Sequence, residues 1–288
     1  MVEIWKTPQA GEAVLTRYAE FLNYWPQPNR QLRLPTSQGE TFVIASGRED
    51  APPLVLLHGA VANSTSWLGD AAAWGEHWRV YAVDVIGEPG FSAPTRPDLA
   101  SDAYAQWLDE VLTGLDVERA AFIGISLGGW LALDFATRRP ERVSALALLC
   151  PGGVGAQKNL LWVLPLLLLG KWGRAQVMKR LGGSAITRAA EPSPILKAFA
   201  DFQDLLTASF RPRRVTLPRF ADEALRRLTM PAMFVMGAKD AILDSAGTRA
   251  RVERLTPQAE IVWLPDEGHF LVRHGAKLQA FLLKALAS

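Results

Sequence analysis

A chain of 288 residues, 49% hydrophobic and 21% charged, has the composition of a folded globular protein, long enough for one large domain or two small ones. Its 31 Lys and Arg against 29 Asp and Glu leave a net charge of +2, so no general electrostatic pull toward nucleic acid is expected. The single cysteine, Cys150, excludes an intrachain disulfide and points to a reducing, cytoplasmic setting.

The opening MVEIWKTPQAGEAVL lacks the basic start and apolar run of a secretory signal. Residues 10–25 carry the spacing of an amphipathic helix. RQLRLPTSQGETFVIASG then alternates around Ser37-Gln38-Gly39, which predicts a two-stranded hairpin. Continuous apolar runs follow in PPLVLLHG, WRVYAVDVIG, AAFIGIS, VSALALLC, PAMFVMG and AEIVWLP, the pattern of strands buried on both faces. Helical stretches separate them at roughly 101–115, 128–139, 245–255 and 274–287. Strand and helix in alternation predict an α/β fold, a mostly parallel central sheet with helices on both faces.

One interval breaks the rhythm. Residues 151–228 hold helical pieces rich in Leu, Trp and Arg but no core strand, so they read as an inserted helical cap. The core is then 1–150 together with 229–288. Within the insert, Leu160–Gly170 is the most apolar stretch of the chain, interrupted by Pro165. A membrane-spanning helix needs about 20 apolar residues, so this segment is expected to be buried or surface-docked, and no membrane span is expected.

The stretch FIGISLGGWLALDF runs from a predicted strand through Gly124-Ile125-Ser126-Leu127-Gly128 into a predicted helix. A G-x-S-x-G turn of this kind holds a serine on strained backbone with its hydroxyl projecting from the sheet edge, and the flanking glycines admit neighbouring backbone. The bland alternative is a glycine-softened helix start with Ser126 as its N-cap. A nucleophilic serine needs an acid and then a histidine further along the chain. Of four histidines, His269 lies in the loop LPDEGHF after the last core strand, where it can reach over the sheet edge. His274 is expected to open the C-terminal helix and face solvent. His77 precedes a strand, at the wrong edge of a parallel sheet. His58 reads as a structural residue of its loop.

The acid is expected beyond PAMFVMG, where Asp240 is favoured for its loop position. Asp244, nearer the next helix, reads as that helix's cap and remains the alternative. Asp266 and Glu267 read as solvated loop charges. The backbone amides of Ala60, after LLHG, and Leu127, at the head of the helix, are the expected oxyanion-hole donors.

With those residues in place the chain resembles the α/β-hydrolase superfamily, and within it the microbial carboxylesterase-like hydrolases. The resemblance runs from about Leu54 to the C-terminus. It is carried by His58-Gly59, VDVIGEPGFS (83–92), GISLGG, Gly237-x-x-Asp240 and Gly268-His269. It implies acyl transfer through a covalent intermediate on Ser126, with His269 as base and Asp240 orienting it, no cofactor and no metal, and a small apolar ester as substrate. HGAV carries one glycine rather than a triple-glycine stretch, which implies a tight alcohol side and puts esters of tertiary alcohols in doubt. Thioesterase, acyltransferase or carbon–carbon hydrolase chemistry on the same residues is the alternative, and a non-catalytic binder of the same fold is a third reading. Serine rather than aspartate at 126 argues against haloalkane dehalogenase and epoxide hydrolase.

In the cap, Trp162 and the leucines of 160–169 either line an acyl pocket or pack the cap onto the core. The run RPRRVTLPR, with Arg211, Arg213, Arg214 and Arg219, either holds an anionic group or forms a solvated face. Trp130 is expected to pack on its own helix.

Overall fold

The structure, a computed structural model, describes residues 3–159, 163–182, 194–213, 215–271 and 273–287. Among these residues eight strands form one sheet in the order β1-β2-β4-β3-β5-β6-β7-β8. They span Asn29–Thr36, Gly39–Ser46, Pro53–Leu57, Arg79–Val83, Ala120–Ile125, Val143–Leu149, Ala232–Gly237 and Glu260–Leu264. The hairpin β1–β2 turns at Ser37-Gln38 as expected, and β2 joins β4 antiparallel. From β4 to β8 every pairing is parallel. The expected sheet is the one that forms.

The apolar runs lack alternation because both faces are covered, except at β8, an edge strand that is only half-buried with Glu260 exposed, against the full burial expected of AEIVWLP. On β3, Val55 and Leu57 point into one apolar layer while Leu54 and Leu56 point into the other, the period-2 geometry of a strand. The first layer is closed by α3 (Ala103–Gly114), α4 (Leu127–Arg138) and α9 (Ser245–Leu255). The second is closed by α1 (Pro8–Leu22), α2 (Ala71–Gly75) and α10 (Gly275–Leu286). The single turn of 3₁₀ helix at Ser64–Trp67 and the short α2 were not expected. Asn63 starts the former by accepting the Thr65 N–H on its side chain.

Between β6 and β7 the chain forms α5 (Val163–Leu167), α6 (Gly170–Gly182), α7 (Pro194–Ser209) and α8 (Asp222–Arg226) among the described residues. Helix α7 is not detached from the core. Its Phe202 and Leu206 are buried in the second layer, and Phe202 lies 5.1 Å from the Phe21 ring of α1. Trp130 does more than pack on α4: its Nε1 donates to Pro218 O at 2.9 Å and its ring stacks on Phe220 at 5.7 Å. Leu168 is 88% exposed, so the leucine-rich stretch is partly in solvent. Trp162 lies outside the described residues. No helix among the described residues is long and apolar enough to cross a membrane.

Strand order reverses at β3, since β4 lies on one side of it and β5 on the other. In open parallel sheets that reversal opens a crevice at the carboxyl ends of the strands. The loops after β3, β4, β5, β7 and β8 all leave from that end.

Candidate active site

Ser126 joins β5 to α4 with φ 50° and ψ −105°. Its side chain makes no capping bond to the helix, which disposes of the N-cap reading. The turn is held through its backbone: Ser126 N–H donates to Leu149 O at 2.9 Å, and its carbonyl accepts Trp130 N–H at 2.9 Å and Gly152 N–H at 3.1 Å. The flanking glycines are steric necessities. A Cβ on Gly124 would lie 2.6 Å from Gly128 O, and one on Gly128 would lie 2.0 Å from Leu57 O.

Beyond β8 the loop returns His269 to this serine. His269 Nε2 lies 3.0 Å from Ser126 Oγ and Nδ1 lies 2.7 Å from Asp240 Oδ2. Both His269 and Asp240 are buried. Asp240 Oδ1 accepts the N–H groups of Ile242 at 2.7 Å and Leu243 at 2.9 Å, leaving Oδ2 to the imidazole. Burial opposes ionisation of Asp240, but bonds from His269 and these two amides outweigh it and hold the carboxyl below its ordinary range. A carboxylate beside Nδ1 places the ring proton there, so Nε2 presents a lone pair to the serine hydroxyl. His269 N–H in turn donates to Leu181 O, in the last turn of α6, at 2.7 Å.

Asp244 does not join this set. It precedes α9 and accepts Gly247 N–H at 3.0 Å, the cap expected of it. His274 heads α10 as expected but is half-buried rather than solvent-facing, and burial lowers its pKa. His77 is exposed. His58 is structural: Nδ1–H donates to Gly59 O at 2.9 Å, and Nε2 accepts Val85 N–H at 2.9 Å. Burial lowers its pKa, consistent with a neutral ring. Asp266 is exposed and paired with Lys239 at 2.8 Å, whereas Glu267 is half-buried and not simply solvated.

Of the two expected oxyanion donors, Leu127 follows the serine in the chain and Ala60 belongs to the loop after β3. Leu127 is the first residue of α4, whose first-turn N–H groups have no helical acceptor. Ala60 follows Gly59, and a Cβ on Gly59 would meet Ser126 Cβ at 3.7 Å. Of the arginines expected on one face, Arg211 and Arg219 are exposed. Arg213 instead folds onto Tyr104, donating to its hydroxyl, and donates to Pro97 O at 3.3 Å. Arg214 lies outside the described residues.

Two residues here escaped sequence reasoning. Cys150, buried with φ 41°, brings its Sγ within 4.8 Å of the Asp240 and His269 donor atoms. Those three groups are the metal-capable cluster among the described residues, but Asp240 Oδ2 and His269 Nδ1 already bond each other. Burial, then the Asp240 charge, pushes the Cys150 thiol up, so it stays protonated and does not rival Ser126. Glu88, within the motif VDVIGEPGFS, is buried and accepts Val61 N–H at 2.7 Å. A charged residue between Gly87 and Gly90 was the available signal.

The alpha/beta hydrolase family model matches residues 54–279. The uncharacterized carboxylesterase nap of Bacillus subtilis is 31% identical over 88% of this chain and 85% of its own length. Carboxylesterase YbfK of the same organism is 30% identical over 91% of this chain and 89% of its own. The crystal structure of a naproxen esterase, carboxylesterase NP, from Bacillus subtilis superimposes with a TM-score of 0.79 at 30% identity, covering 98% of each chain. The chain belongs to the alpha/beta hydrolase family, as a hydrolase similar to these carboxylesterases.

Proposed function

We propose that this protein hydrolyses carboxylic esters through an acyl-enzyme intermediate. The observation that carries the reading is the continuous chain of contacts from Asp240 through His269 to Ser126. Ser126 Oγ attacks the ester carbonyl while His269 Nε2 takes its proton, and the protonated imidazole then gives that proton to the leaving alcohol. Asp240 stabilises the imidazolium and holds the tautomer. The amides of Ala60 and Leu127 receive the oxyanion, each such donor contributing roughly 3–4 kcal/mol in comparable sites. Water activated by the same histidine then cleaves the acyl-enzyme.

The ester specificity follows the similarity to the Bacillus carboxylesterases. We read residues 151–228 as a cap that frames the acyl side, with Trp162 as a substrate contact. The one buried free thiol suits a reducing, cytoplasmic setting.

The test is turnover of a short-chain nitrophenyl ester beside matched thioesters and diketones. Wild type is expected to hydrolyse the esters best and to be labelled once by a serine-directed phosphonate. Ser126→Ala is expected to fold normally, to resist labelling and to lose nearly all turnover. Near-wild-type rates in purified Ser126→Ala would place the nucleophile elsewhere. A preference for thioesters or diketones would move the reaction class while leaving the nucleophile in place.

A further inference from the structure

The loop that carries Ala60 is tied to the loop after β4 at several points. His58 Nε2 accepts Val85 N–H, Asn63 Nδ2 donates to Pro89 O at 3.0 Å, and Ser64 gives Asp84 Oδ1 both its N–H at 3.0 Å and its hydroxyl at 2.6 Å. Between these anchors, next to Ala60, the Val61 N–H donates to Glu88 Oε2 at 2.7 Å. Val61 sits at φ 57°. A β-branched residue in the left-handed region is an outlier that persists only when its surroundings hold it.

Glu88 is an expensive way to hold it. The residue is 1% exposed, yet its Oε1 has no hydrogen-bond partner among the described residues. A buried, half-satisfied carboxyl destabilises a fold, so stability alone does not account for it. Burial raises its pKa to about 7 in spite of the opposing charges of Arg96 and Arg213. What the side chain does accomplish is local: it fixes the peptide between Ala60 and Val61, one residue from the amide read as an oxyanion donor.

We propose that Glu88 is the positioning residue of the oxyanion hole, clamping strained Val61 so that the Ala60 amide stays aimed at Ser126. The clamp acts on the tetrahedral state, where the oxyanion forms, more than on ester binding. This inference rests on the ester-hydrolase reading of the site, and one arm of its test does not use turnover.

The experiment compares Glu88→Ala, Glu88→Gln, Val61→Gly and the double variant Val61→Gly/Glu88→Ala. Amide hydrogen exchange over 58–64 is measured first. Glu88→Ala is expected to speed exchange at Val61 by about tenfold or more, and Glu88→Gln, whose amide oxygen still accepts, to restore most of the protection. On a nitrophenyl ester, Glu88→Ala should lower kcat about 10–100-fold with little change in KM. Its affinity for a trifluoromethyl ketone, which forms the tetrahedral oxyanion on Ser126, should fall in parallel. Glycine is at ease at positive φ, so the double variant should recover part of that loss. It also supplies the comparison if Glu88→Ala alone folds poorly. Unchanged exchange in Glu88→Ala, or an effect confined to KM, overturns the proposal. Faster exchange in a protein whose wild type hydrolyses no ester would keep the clamp and reject the ester reading.

Discussion

Ser126 occupies backbone space that an L-residue enters only at a cost, and its side chain is thereby freed from helix capping to meet His269. The acid of this set is decided by where two carboxylates spend their oxygens. Asp240 gives Oδ2 to the imidazole, whereas Asp244 gives its Oδ1 to Gly247 N–H. Asp240→Asn is therefore expected to cut turnover about 10⁴-fold by favouring the wrong tautomer, with Asp244→Asn mild. The opposite ranking in steady-state assays would reassign the acid. His269→Ala should match Ser126→Ala, and His274→Ala should leave kcat nearly unchanged.

Glu88 also sets a stability expectation. Its folded pKa rises from the ordinary 4.5 to about 7, by burial against the opposing Arg96 and Arg213, with Tyr104 in the same cluster. Between those values the folded state keeps a proton that the unfolded state has lost. The stabilisation tied to that proton is complete below the unfolded value and disappears as pH rises through the folded one. Denaturant midpoints of wild type should accordingly fall, relative to Glu88→Gln, between about pH 5 and about pH 8. A constant difference across that range would show that Glu88 titrates normally. Asp240, with its lowered pKa, contributes in a separate and more acidic window.

At the scale of elements, the serine turn depends on how closely α4 approaches β3. A Cβ at Gly128 would meet the Leu57 carbonyl at 2.0 Å, a backbone atom that cannot swing aside. At Gly129 the nearest atom is Pro151 Cβ at 2.9 Å. Gly128→Ala is expected to cost about 3 kcal/mol or more and to abolish phosphonate labelling of Ser126. Gly129→Ala should be milder in the same thermal melts, because the conflict there is smaller. Helix α6 reaches the site from the other side, since its Leu181 carbonyl receives the His269 N–H. The histidine loop is thus fastened to the interval between β6 and β7 as well as to the sheet.

Across the whole molecule, that interval is joined to the core at more than one place. Helix α7 is built into the core beside α1, and Trp130 ties α4 to the segment 218–220. The leucine-rich stretch, by contrast, leaves Leu168 and Leu169 exposed. If Trp162 and its neighbours line the acyl pocket, each added methylene should favour binding by about 0.8 kcal/mol until the pocket is full. Activity is then expected to rise from acetyl toward medium-length acyl esters and fall beyond them, with Trp162→Ala shifting the optimum. A lower melting temperature with the same optimum would instead assign these residues to packing. Acyl-length profiles measured beside thermal melts separate the two.

Much of this was legible in the chain because it is local. Apolar runs without alternation specify doubly covered strands, and glycines two residues either side of Ser126 specify a turn that no other residue type fits. The positions of Ser126 and His269 at the ends of such runs follow from the same patterns. Other features depend on which surfaces meet after folding. The Asp240–His269 contact joins residues 29 apart, and the Ser126–His269 contact joins residues 143 apart. Whether Asp240 or Asp244 faces the imidazole is therefore set by the route of the β7 loop in space. Burial of Glu88 under Val61, the neutral tautomer of His58 and the insertion of α7 into the core were hidden for the same reason. A sequence pattern encodes what each residue prefers around its own backbone, and only the assembled sheet decides which distant partner satisfies it.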